Sequence, residues 1–140
     1  QTILCLLEVS IEKIDNIHTN KFGGFTKCGW MRTNEDDNGE GHNDKNAFVF
    51  SIKSGVFKDN PKAKLFNTTN NGYELWSQDG FYCIFGQDCA FYINEDGKTG
   101  GCNDAFSECF EDYPMSYYLT GCDTFNVEKV EVFELRKYGQ

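Results

Sequence analysis

The stretch Ala47-Phe48-Val49-Phe50-Ser51-Ile52 decides how the rest of the chain is read. Successive side chains on a strand point to opposite faces, so Phe48, Phe50 and Ile52 share one face and Ala47, Val49 and Ser51 the other. A helix would scatter these residues around its circumference. The stretch therefore predicts a strand. It is bounded by the polar segment Arg32–Asn46, with Glu35, Asp36, Asp37, Glu40 and Asp44, and by a turn-rich connection over Lys53–Asn60.

The neighbouring segments read in the same way. Asn70-Asn71-Gly72 is a turn signal. Phe81–Phe85 and Cys89–Ile93 predict two strands joined by a tight hairpin at Gly86-Gln87-Asp88. Glu95–Asn103 holds three glycines and is expected to be a loop. Asp104–Tyr113 suits a short helix that ends before Pro114. In the last element, Phe125–Leu135, the apolar phase changes from Phe125 and Val127 to Val130 and Val132, then to Phe133 and Leu135. Such a shift signals a bulge, or burial of both faces. Upstream, Thr2–Val9 fits a buried strand or a short helix. Gly23, Gly24 and Gly29 weaken helix propensity in Phe22–Trp30, which favours a strand with a bulge or a close backbone approach. The expected class is mainly β: two antiparallel sheets packed face to face.

The chain has 140 residues, enough to bury a real core. Its formal net charge of −9 repels nucleic acid and anionic lipid, and its Lys and Arg residues are scattered. No apolar run reaches membrane-spanning length. Thr2–Leu7 is too short and lacks the basic flank of a signal peptide, although a chain opening on Gln1 leaves an upstream signal open. The seven cysteines fit either reduced thiols acting as small core hydrophobes or a secreted disulfide framework. The odd count and irregular spacing favour the first.

Catalysis needs a nucleophile with a base, or paired acids in a cleft. His18 and His42 fall in no triad motif, and no enzyme activity is expected. The acidic run Glu35–Asp44 has the oxygen ligands that calcium prefers but not the alternation of an EF-hand, so a solvated loop is expected and no metal or cofactor is assigned. Asn94-Glu95-Asp96-Gly97 looks like a hairpin turn. Cys102 and Cys109, in or near a polar loop, are the candidate redox-sensitive thiols. Asp104, Glu108 and Glu111 beside them oppose thiolate formation. Cys83 and Cys89 bracket the expected hairpin and are read as core packing. Tyr73, Trp76, Tyr82, Tyr117 and Tyr118 suit either an interaction surface or the core.

Four blocks, in order, resemble the protist-type TLDc domain of the oxidation-resistance protein family. They are Lys21-Phe22-Gly23-Gly24-Phe25; Asp44-Lys45-Asn46-Ala47-Phe48-Val49-Phe50-Ser51-Ile52; Ile84-Phe85-Gly86 through Phe91-Tyr92-Ile93; and Tyr118-Leu119-Thr120-Gly121, followed by Phe125 through Val132-Phe133. Their order and spacing carry the resemblance, which covers most of the chain from Phe22 onward. It implies a single domain over 1–140 with a β-sandwich and short flanking helices, lacking the family's N-terminal helical portion. It also implies a non-catalytic, cytoplasmic interaction protein linked to oxidative-stress protection. Some members of the family bind the vacuolar proton-pumping ATPase, which makes pump subunits the expected partners and the surface of acidic organelles the expected place. Gln87 and Asp88 depart from the family, which often has further glycines there, and Leu7–Asn20 is longer than its usual link. The rival reading is a secreted, disulfide-bonded module that recognises carbohydrate or protein.

Overall fold

Residues 2–13, 16–27, 40–54, 64–67, 69, 75–77, 81–85, 91–102, 110, 119–120 and 122–136 are described by a computed structural model. The strands, in chain order, are β1 (Thr2–Lys13), β2 (Asn16–Thr26), β3 (Glu40–His42), β4 (Phe48–Ser54), β5 (Lys64–Asn67), β6 (Leu75–Ser77), β7 (Phe81–Phe85), β8 (Phe91–Asn94), β9 (Thr99–Gly101) and β10 (Thr124–Leu135). All pair antiparallel in one ladder of order β3-β6-β7-β8-β9-β10-β1-β2-β4-β5. The mainly β class is as expected. The ladder is one curled sheet rather than two separate ones, and no helix occurs among the described residues. The helix expected over Asp104–Tyr113 lies outside them, apart from Phe110, an isolated bridge residue with a buried ring.

The curl follows from ring contacts. β8 and β2 are four steps apart in the ladder, about 19 Å on a flat sheet at ~4.8 Å per step. Yet the rings of Phe91 and Phe22 meet edge to face with centroids 5.1 Å apart. Phe22 also meets Phe125 of β10 at 5.8 Å, and Phe85 meets Phe91 at 5.1 Å. The β7–β8 end therefore folds over the β1–β2–β4 face. The enclosed core is Phe22, Val49, Phe66, Phe85, Phe91, Ile93, Phe110, Leu119 and Phe125, with Cys5, Ala47 and Cys102 between them.

The register explains which side of each strand enters that core. Directly opposed residues share a face, and Cys5, Gly24, Val49 and Phe66 form one row across β1, β2, β4 and β5. Leu4, Phe25, Phe48 and Asn67 form the adjacent row on the other face. Phe48 and Phe50 thus lie opposite Val49 and Ser51, as the alternation predicts. The smaller set is the buried one, and the phenylalanines face outward. Ile52 is the extra residue where the β2–β4 register steps at Lys21/Phe22, so its exposed side chain marks a bulge.

The phase change in β10 has the same origin. Val9 pairs with Val127 and Glu8 with Lys129, leaving Glu128 as an extra residue. The core-side positions change there from Phe125 and Val127 to Val130 and Val132. Phe133 and Leu135 then lie on the opposite face, and neither face is buried at that end. Thr2–Val9 is strand rather than helix and extends to Lys13.

Gly23 and Gly24 supply the close approach expected of β2. A Cβ at Gly24 would collide with the Phe85 ring, and one at Gly23 with the carbonyl of Cys5, while Phe50 Cζ would stand only 2.7 Å from it. Backbone cannot yield as a side-chain tip can, so Gly23→Ala should cost about 1–3 kcal/mol, read as a lower urea midpoint at unchanged slope. Gly24→Ala should cost the same or less, because the Phe85 ring can move. Equal stability of Gly23→Ala and the parent would show that the strands do not pack this closely.

Candidate functional site

Among the described residues, three features outside the close-packed core can carry function: a polar cavity, a buried carboxylate, and an exposed apolar sheet face. The cavity has a volume of about 370 Å³ and is lined by Ser10, Tyr92, Asn94, Thr99, Gly100, Cys122, Thr124, Phe125 and Asn126. It sits where β8, β9, β10 and β1 meet. Its lining holds no Lys, Arg, His, Asp or Glu. Many of its polar groups already bond to the protein: Ser10 Oγ donates to Glu128 Oε1 at 2.5 Å, and Asn94 Nδ2 donates to Thr99 Oγ1 at 2.9 Å.

Cys102 lies beneath this region, against Thr120. Its Sγ is 3.0 Å from Thr120 Oγ1, and Thr120 Oγ1 donates to the Cys122 carbonyl at 2.6 Å. Cys102, a candidate redox-sensitive thiol on its place in or near a polar loop, is only 8 % exposed. The β9 residue Gly101 pairs with Thr124 and the Cys102 amide donates to the Asp123 carbonyl, so the chain turns Cys102 inward. Cys109 lies outside the described residues. Cys122, half-exposed on the cavity wall with its Sγ 3.3 Å from Asp123 Oδ1, is the thiol the sequence reading overlooked. Cys122 is a free thiol.

The segment expected as the loop Glu95–Asn103 is half strand. Thr99–Gly101 forms β9 against both β8 and β10. Asn94-Glu95-Asp96-Gly97 is the hairpin turn it resembles: the Gly97 amide donates to the Asn94 carbonyl at 2.9 Å, and Gly97 has φ of +69°. The amides of Lys98 and Thr99 donate to Asp96 Oδ1 at 2.8 and 3.2 Å and hold its pKa below the ordinary 3.8.

Asp44 ends the acidic run and is buried. Its Oδ2 accepts from Thr26 Oγ1 at 2.6 Å and from the Lys27 amide at 2.7 Å, and its Oδ1 accepts from the Asn46 amide at 2.9 Å. The Ala47 amide donates to the Asp44 carbonyl at 3.0 Å. This carboxylate ties the end of β2 to the entry of β4. Glu35–Gly39 lie outside the described residues. Among the described residues no three His, Cys, Asp or Glu side chains group as a metal site.

The apolar face is the outer side of β10-β1-β2-β4-β5. Phe25 and Phe48 stack at 4.7 Å with 10° between their planes, and Phe48 meets Phe50 at 6.2 Å. Leu65 opposes Phe50, and Phe133 opposes Leu4, which in turn opposes Phe25. Leu65, Phe133 and Leu135 are 50, 42 and 44 % exposed. Ion pairs Lys21–Glu8 at 3.6 Å and Lys129–Glu131 at 2.9 Å border one end of this face.

Of the motif residues, Ala47, Phe85, Ile93 and Phe125 are buried in the core, Gly23 and Gly24 shape it, and Asn46 is exposed in the turn after Asp44. Tyr92 belongs to the cavity wall, and Phe25, Phe48, Phe50 and Phe133 build the apolar face. Val132 of β10, opposite Cys5 of β1, is exposed. Gly86 and Gly121 lie outside the described residues, as do Cys89, Tyr73, Tyr117, Tyr118 and the side chains of Cys83, Trp76 and Tyr82. The family comparison decides what this arrangement belongs to. A sequence model of the TLDc domain matches residues 4–136. The chain belongs to the TLDc family. No curated protein matches it. In this TLDc chain the family blocks thus divide between core and one outward face.

Asp44→Ala should destabilise the TLDc fold by about 1.5–3 kcal/mol, the scale of hydrogen bonds to a charged group, since Thr26 would keep a buried hydroxyl without this acceptor. An unchanged urea midpoint would remove Asp44 from this role. Asp96 gives a pH test. Its folded pKa is lowered, so its stabilising effect is present above the unfolded value near 3.8 and is lost as pH falls through the folded pKa. The stability gap between wild type and Asp96→Ala should therefore be constant near neutrality and close below pH 3.8. A gap that stays open at the acid end would contradict this.

Proposed function

We propose that this TLDc chain is a non-catalytic protein-interaction domain acting in oxidative-stress protection, with subunits of the vacuolar proton-pumping ATPase as its partners. Family membership over residues 4–136 carries the reading. The outer face built from Phe25, Phe48, Phe50, Leu65 and Phe133 supports it, because contiguous exposed apolar surface on a sheet suits protein contact. The polar side chains of the cavity wall support it too: Ser10, Asn94 and Thr99 serve neighbouring protein atoms. The free thiol at Cys122 fits a reducing, cytoplasmic setting at the surface of acidic organelles. A net charge of −9 favours a basic partner surface.

The expected outcome of a pull-down from lysate of the source cell, in reducing buffer, is recovery of proton-pump subunits identified by mass spectrometry. Leu65→Asp should abolish that recovery while the variant stays folded, since Leu65 is half exposed. Raising the salt well above physiological strength, where the Debye length is about 8 Å, should weaken it. Pump subunits that never appear, or that bind Leu65→Asp as well as wild type, would sink the proposal.

A further inference from the structure

The polar cavity rests on two neighbouring rows of one sheet face. Directly opposed strand residues share a face. Ser10 of β1 opposes Asn126 of β10, and Asn126 opposes Thr99 of β9. Thr99 Oγ1 in turn accepts from Asn94 Nδ2 of β8 at 2.9 Å. Four adjacent strands thus each contribute one uncharged polar side chain to a line across the sheet. Two residues along each strand, the next row on that face is Tyr92, Gly101 and Thr124. A Cβ at Gly101 would stand 2.7 Å from the Tyr92 hydroxyl, so the phenol end of Tyr92 leans across the space the glycine leaves.

We propose that this cavity binds a neutral polyhydroxylated small molecule about the size of one sugar ring. Its volume of about 370 Å³ lies near the lower end of small-molecule sites, which run from about 300 to 1,000 Å³. The lining sets the chemistry. Hydroxyl and carboxamide groups both donate and accept, and so does every hydroxyl of a sugar or polyol. The bonds already made leave capacity: Ser10 Oγ donates to Glu128 and can still accept, and Asn94 Nδ2 has a second hydrogen to give. Thr124 and Asn126 add an exposed hydroxyl and an exposed carboxamide. The Tyr92 ring offers apolar surface to the C–H side of a sugar. A charged ligand fits less well. Three carboxylates stand behind the wall: Glu128 bonded to Ser10, Asp96 to Thr99 and Asp123 to Cys122. They repel an anion, and they are already engaged when an ammonium group arrives. A wholly apolar ligand would strip water from the lining hydroxyls and replace none of its hydrogen bonds. Binding of this kind is independent of the proton pump.

Titration of the full chain with glucose, galactose, N-acetylglucosamine and myo-inositol, followed by amide chemical shifts, tests the proposal. At least one should bind saturably and shift the amides of Thr99, Gly101 and Asn126. Glucuronate and glucosamine, charged counterparts of the same ring size, should bind more weakly by about tenfold or more. Asn126→Ala and Thr124→Val change exposed positions and should keep the wild-type urea midpoint. Each should raise Kd about three- to tenfold, the scale of one hydrogen bond. Cys122 gives a readout on wild type, because its half-exposed free thiol stands on the cavity wall. A bound sugar should slow its alkylation by iodoacetamide, as located by peptide mass spectrometry. Neutral probes that neither shift these amides nor protect Cys122 overturn the proposal. So does a charged counterpart that binds as tightly as the neutral ring, or binding that both variants leave unchanged.

Discussion

The Phe85 ring occupies space that only a glycine at position 24 leaves open. Most of the structure depends on that contact. It lets β7 approach β2 although the two strands are five steps apart in the ladder, and so it lets one antiparallel sheet curl back on itself. Once the curl brings Phe91 and Phe125 onto Phe22, the three rings form an edge-to-face cluster, a geometry worth about 0.5–1.5 kcal/mol per pair beyond burial. Gly23 performs the complementary service on the outer face, where the Phe50 ring lies over it. One dipeptide thus thins the sheet on both sides at its centre.

That economy explains which parts of the fold are legible in sequence. The alternation in Ala47–Ile52 and the phase change in β10 report backbone geometry directly, and both reappear as a strand and a bulge. The choice of buried face is not legible, because it depends on what the curl brings opposite. Val49 and Ser51 are small enough to sit under the folded-over β7–β8 end, so the larger phenylalanines are left outside. Gly100 and Gly101 suggest a loop by composition, yet β9 is held as a strand by partners on both sides, and no local signal encodes a partner.

The site features divide the same way. The turn at Asn94–Gly97 is local chemistry and reads correctly from its residue types. Asp44 reads as one more carboxylate in an acidic run. Its role appears only when β2 and β4 pair and bring the Thr26 hydroxyl and the Lys27 amide to it. Asn20 is a similar case: its buried Nδ2 donates to the Leu119 carbonyl at 2.9 Å across 99 positions of sequence. The thiols mislead for the same reason. Cys102 sits among polar residues in sequence but turns inward beside Thr120, whereas Cys122, less conspicuous, reaches the cavity wall.

The outward phenylalanines and the net charge constrain one another. A sheet face carrying Phe25, Phe48, Phe50, Leu65 and Phe133 would drive indiscriminate association if nothing opposed it. An excess of nine negative charges opposes it at long range, since copies of the chain repel before their apolar faces meet. In the proposed interaction, contact then requires a partner that offers positive charge as well as apolar surface, with the charge supplying selectivity and the apolar face affinity. The substitutions that matter for function are therefore expected on the outer face and its rim, while those that matter for folding cluster where Gly23, Gly24 and Asp44 allow the strands to close.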